Sequence, residues 1–187
     1  MFNNLALFLV IGLLPFFVRE FRKNSQITMA YWFVIALHQT VAFTNVFLFG
    51  TIGATGDAQR FHGIAVILAQ SGEFNFSTGM VLYNNMLGVI YWLFGSSHFL
   101  GEQFSILAFA ISCIVLIKIM GLLELPRYRV SALLIFGALP SMVFFGSVTL
   151  REPYQVLFFI LAVYFGLLMS ARTGGLAYSL PMFLSLI

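Results

Sequence analysis

The chain has 187 residues, of which 61% are apolar, 17% aromatic and only 8% charged, with a formal net charge of +3. A soluble domain carries about 25% charged residues, so this composition excludes a chain that coats itself with water. No basic cluster with interleaved aromatics is present, which excludes nucleic acid as a partner, and the single cysteine, Cys113, excludes a disulfide framework or a cysteine-built metal site.

Apolar runs recur at the length of about 20 residues that spans a bilayer as a helix. The expected fold class is therefore all-α, a polytopic transmembrane helix bundle within one membrane domain over residues 1–187. The first span is placed at 2–18. Its basic residues, Arg19, Arg22 and Lys23, follow the apolar part instead of preceding it. That is the reverse of a secretory signal, so the segment is read as retained. The second span is placed at 29–49 and contains His38, for which a buried role hydrogen-bonded with Gln39 and Thr40 is expected.

An outer loop over 50–103 follows. It opens with "GATGDAQRFHG", which holds Asp57, the chain's sole aspartate, with Arg60 and His62 close behind. Residues 57–70 predict an amphipathic interfacial helix with Ala58, Phe61, Ala65 and Leu68 along one stripe and Gln59, His62 and Gln70 on the wet side. "SGEFNFSTG" is a turn-rich joint. "MVLYNNMLGVIYWLFG", 80–95, reads as a second interfacial helix rich in headgroup-level aromatics. Glu73 and His98 are read as loop residues facing water. Further spans are placed at 104–123, 130–150 and 154–170. A run over 176–187 is still apolar where the sequence stops, which predicts an incomplete span and a longer native protein.

Charge placement supports the interfacial reading of 80–95. If that helix does not cross, Arg19, Arg22, Lys23, Arg127, Arg129 and Arg172 share one side, and Asp57, Glu73, Glu102 and Glu152 share the other. The basic side is then cytoplasmic.

Two groups of residues could carry chemistry. Asp57 at the start of a helix is either an N-cap that suits the positive end of the dipole or a functional carboxylate, since ionisable residues at a membrane boundary often mark sites. In "GSVTLREPY", Arg151 and Glu152 precede Pro153, which suits the first helical position. They are either a solvated turn or a site in which the planar guanidinium grips a phosphate. In the second case Glu152 orients Arg151 or helps hold a divalent cation. Arg60 is an ion-pair partner of Asp57 or a second phosphate ligand. His62 is a supporting residue or simply a wet one. No Walker loop, GxSxG elbow or metal-type His/Cys spacing is present.

The order of these features, "TGDAQRFHGIAVILAQSGEF", then "YNNMLGVIYWLFGSSHFLGEQFSILAF", then "LPSMVFFGSVTLREPYQVLFFILAVYF", resembles the GT-C fold of multi-spanning glycosyltransferases that use polyprenyl-phosphate-linked sugars. The family 39-like proteins of bacterial surface-glycan pathways are the most similar kind, over roughly residues 29–172. The resemblance implies an inverting transfer on the outer face of a bacterial inner membrane, to a glycan, lipid or protein acceptor. It makes Asp57 the general base on the acceptor hydroxyl or the group that positions it, and it matches Arg151 and Glu152 to a second outer loop whose charged residues commonly help hold the lipid phosphate or a metal. The family often has two adjacent acids in the first loop, whereas Ala58 follows Asp57 here. A magnesium or manganese ion, held by Asp57 and Glu152 if by anything, is therefore left open. Two other readings stand beside this one: a glycan polymerase or ligase of the O-antigen type, and a non-catalytic or transport subunit, whose sites tend to lie near the bilayer midplane.

Overall fold

Pro15 decides how the first helix is held. The computed structural model describes residues 2–49, 55–77 and 79–171, and places α1 at Phe2–Phe17 with Pro15 inside it. Proline has no N–H to donate four residues back, so the Ile11 carbonyl loses its helical partner. Tyr31 replaces it, its hydroxyl donating to the Ile11 oxygen at 2.8 Å, and the adjacent Trp32 indole donates to the Gly12 oxygen at 3.0 Å. Both side chains belong to α3, Ser25–Thr44, so a backbone defect in one helix becomes a polar joint to another. Between them the short basic helix α2, Arg19–Lys23, follows extended Val18. Asn24 then caps α3 by accepting from the Gln26 N–H at 3.0 Å. The helix continues through a π-helical turn, Asn45–Phe49, so this apolar segment starts at Ser25, ahead of the expected 29.

A second proline breaks the span expected over 130–150. In its place stand α7, Arg129–Ala138, and α8, Pro140–Gly146, bent by 63°. Leu139 between them is extended, with φ −57° and ψ 130°, because the α conformation is disfavoured before a proline. The break strands carbonyls at the end of α7. His38 reaches across from α3 and donates to the Gly137 oxygen at 3.2 Å, while its ring stacks on Phe109 at 4.1 Å. It is a buried core residue, as expected, with a different partner. Gln39 instead exchanges two amide hydrogen bonds with Gln103, at 2.8 and 2.7 Å, and Thr40 bonds to the Ala36 carbonyl. Gly137 permits the close crossing, since a Cβ there would meet Val34 Cγ1 at 2.4 Å.

The axis of the molecule is α6, His98–Leu122, with 25 residues. Its buried residues Ile106, Phe109, Cys113 and Ile117 pack with Ile11, Tyr31, Val34 and Leu133 from α1, α3 and α7. On another face, Val115 and Ile119 meet Ile160 of α9, Glu152–Ala171. Ser97 caps α6 by accepting from the Leu100 N–H at 3.0 Å. The helix thus begins well ahead of the expected 104, and His98, Glu102 and Gln103 lie inside it instead of in a loop.

The two helices of the long connection are α4, Thr55–Ser71, and α5, Met80–Phe94. The expected stripe on α4 is buried at Ala58, Phe61 and Ala65. It packs on Tyr83, Leu87 and Tyr91 of α5 and on Val148 and Leu150 of the segment before α9. That stripe therefore faces protein where a lipid surface was expected. Apolar side chains such as Ile67, Trp92 and Leu93 are exposed on the outer faces of the pair.

The described residues form helices without strands. Three segments are long and apolar enough to cross a membrane, 25–48, 98–122 and 152–170, with a fourth if the bent pair counts as one span. The helix over 2–17 falls short of that set: 16 residues rise about 24 Å, against a hydrocarbon core of about 30 Å. Helix α5 is short as well. Arg172 and the span expected over 176–187 lie outside the described residues. Asn45, Gln59, His98 and Thr149 line one cavity. The end of α3, the starts of α4 and α6 and the approach to α9 therefore share one end of the bundle, and Asp57, Glu102 and Glu152 belong to those segments.

Candidate functional site

The first turn of α4 carries Asp57. It lies within the helix and not at its cap, still at the positive end of the dipole. Asp57 and Arg60 are both exposed, and among the described residues they form no ion pair within 4.0 Å. The local-pair reading of Arg60 therefore fails. Arg60 remains an exposed cation one turn beyond the acid.

His62 is not simply wet. Its Nδ1 and the Tyr91 hydroxyl share a 2.8 Å hydrogen bond, and its ring stacks on that of His98 with centroids 3.5 Å apart. Burial, and secondarily the neighbouring His98, lower its pKa from 6.5 to about 4. Burial, followed by Tyr154 and Glu102, raises the Tyr91 phenol well above its usual range, so it remains a hydroxyl. The unfolded chain protonates His62 near 6.5 and the folded chain only near 4. Stability should therefore be complete above about pH 6.5 and should decline as the pH falls towards 4. Thermal melts of the detergent-solubilised chain across that window should show the decline, and His62→Gln should remove part of it. A wild-type profile without slope would place His62 in water.

Arg151 and Glu152 are neighbours at the start of α9. The Arg151 Nε lies 3.8 Å from Glu152 Oε1, with both side chains 42% exposed. A pair this long and this exposed contributes little stability. It leaves most of the five guanidinium N–H groups available to a ligand. Glu152 Oε2, by contrast, is buried without a hydrogen-bond partner. Arg151 lines a cleft of about 160 Å³ between α5 and α9, whose other walls include Leu82, Tyr83, Leu87, Ile90, Tyr154 and Phe158. One cation in an apolar cleft suits an amphiphile with an anionic head.

A second cavity, of about 180 Å³, lies beneath α4 and is lined by Asn45, Gln59, His98, Glu102 and Thr149, with Val46, Ala58 and Val148. Glu102 is only 5% exposed. The Asn45 side chain hydrogen-bonds its carboxylate, yet Oε2 has no partner, nor has the buried Thr149 hydroxyl. The two cavities are joined in sequence by residues 148–151, which supply Val148 and Thr149 to one and Arg151 to the other.

Among the described residues no three of His, Cys, Asp and Glu cluster to hold a metal ion. The folded chain brings the start of α4 and the segment 148–151 to one end of the bundle, through the shared packing of Ala58, Phe61, Val148 and Leu150. His98, Glu102, Tyr91 and Thr149 were missed by sequence reasoning. The available signal was Ser97: as an N-cap it starts α6 early enough to put His98 and Glu102 on one face at i, i+4 spacing.

Comparison with protein-family models, with curated proteins and with solved structures finds no match for this chain.

Proposed function

We propose that the chain is an integral membrane glycosyltransferase of GT-C type that moves a sugar from a polyprenyl-phosphate-linked donor to a glycan, lipid or protein acceptor. The reaction takes place on the outer face of a bacterial inner membrane. The observation that carries this reading is the α5–α9 cleft, with apolar walls and the half-exposed Arg151 among them. Beyond the cleft, α9 turns Phe159 and Val163 outward, an apolar track for the rest of an isoprenoid tail. A sugar on a lipid phosphate already carries its leaving group. The protein must deprotonate an acceptor hydroxyl and stabilise the departing phosphate. Asp57 supplies the base, and Arg151, in a site partly shielded from water, supplies the charge-assisted hydrogen bonds. Arg60 is the second cation at that end, with Glu152 orienting Arg151 and His62 supporting α4.

Arg151→Ala should weaken binding of undecaprenyl phosphate to the nanodisc-embedded chain by about tenfold, the value of one charge-assisted hydrogen bond. Native mass spectrometry or thermophoresis would read the change. An unaltered affinity, with insertion intact, would remove the observation on which the proposal stands.

A further inference from the structure

We propose that the polar cavity beside Glu102 is a binding subsite for a polyhydroxylated ring of monosaccharide size. The inference deepens the glycosyl-transfer reading and rests on it, while using residues that reading leaves unassigned. The first argument is size. A cavity of about 180 Å³ holds about six waters at about 30 Å³ each, below the 300–1,000 Å³ typical of pockets for drug-sized ligands, so it suits a ligand no larger than one monosaccharide ring.

The second argument is the chemistry of the wall. A sugar hydroxyl both donates and accepts, so its site needs both kinds of partner. Glu102 accepts, Gln59 and His98 offer N–H groups, and the Thr149 hydroxyl does either. A free phosphate fits poorly, since neither lysine nor arginine is among the described residues that line this cavity, and the donor phosphate already has a cation, Arg151, in the other cleft.

The third argument is energetic. Glu102 Oε2 and Thr149 Oγ1 are buried without partners among the described residues, and an orphaned buried polar group is costly. Both residues line the cavity, so ligand hydroxyls seated there satisfy them. The ring could belong to the donor or to the acceptor, and the chemistry is the same for each.

The test labels Glu102 with a hydrophobic carbodiimide in the nanodisc-embedded chain and quantifies the adduct by peptide mass spectrometry. The probes are the methyl glycosides of glucose, galactose, mannose and N-acetylglucosamine, undecaprenyl phosphate bearing glucose or mannose, and undecaprenyl phosphate alone. At about ten times its Kd, a bound sugar should cut labelling about tenfold. Thr149→Val should raise the sugar concentration needed for that protection about fivefold, the worth of one neutral hydrogen bond, while Glu102 still labels when no sugar is present. Protection by a free glycoside assigns the ring to the acceptor, and protection by the lipid-linked sugars alone assigns it to the donor. Labelling unchanged by every sugar, or reduced equally by undecaprenyl phosphate alone, overturns the subsite. Neither result touches the Arg151 cleft, whose own binding measurement decides the transfer reading.

Discussion

Asp57→Asn is expected to lower sugar transfer by at least about a hundredfold, the low end of what a positioned general base contributes, with membrane insertion and melting temperature almost unchanged. Two features separate the effects. Asparagine keeps the size and the polar oxygen of aspartate but takes no proton at neutral pH. Asp57 is also exposed and forms no ion pair among the described residues, and its place in the first turn of α4 suits the helix dipole, worth about 0.3–1 kcal/mol. Its position in the fold favours the catalytic role: the next two residues, Ala58 and Gln59, line the polar cavity, and Ala58 packs with Val148 and Leu150 just before Arg151. The measurement is transfer of labelled sugar from a polyprenyl-phosphate donor, beside a thermal melt of the same sample. Wild-type turnover in the variant would return Asp57 to a partner of the helix dipole.

What could be read from the sequence followed the strength of each local signal. Apolar length places spans at 29–49, 104–123 and 154–170, because a helix of that length satisfies its own backbone groups among so few polar side chains, and the structure starts these helices earlier, at 25, 98 and 152. Period 3.6 gave the buried stripe of α4. It could not say whether lipid or protein covers that stripe, since both reward the same pattern. The bend at Pro140 was written in the residue itself, yet hydropathy averages over a proline and returned one straight span. His38 shows the same limit. Its burial was legible, while its partner is a carbonyl freed by a break almost a hundred residues away, a contact that only the packing of α3 on α7 creates.

The candidate site divides in a similar way. Arg151 and Glu152 stood out because charges are rare in this chain. Glu102 is equally charged, but the sequence uses it only to mark the outer side, because residues up to 103 read as loop. Starting α6 at Ser97 turns that residue inward, and inward burial is what gives a carboxylate chemical interest. The missing information was a helix boundary, the least certain quantity in any sequence reading.

Gly101→Ala is expected to destabilise the chain by about 1–3 kcal/mol, the usual cost of overpacking, and the sign is the informative part. In the interior of a helix, alanine in place of glycine ordinarily stabilises by about 1 kcal/mol. At this position an added Cβ would lie 2.5 Å from the Tyr91 hydroxyl and 2.7 Å from Thr149 Oγ1, with Thr149 Cγ2 at 3.0 Å. Neither neighbour can swing away freely. Tyr91 is held by its hydrogen bond to His62, and Thr149 is buried within the segment that joins the two cavities. Relief must therefore come from moving α5 or residues 148–151 off α6, which also loosens the wall of the polar cavity. Tyr91→Phe removes one of the clashing oxygens, so a double-mutant cycle in thermal melts should show part of the loss recovered, a coupling of about 0.5–3 kcal/mol between contacting residues. A stabilised Gly101→Ala variant would mean that α5 and the 148–151 segment stand further from α6, and that the two cavities are not held in register by this contact.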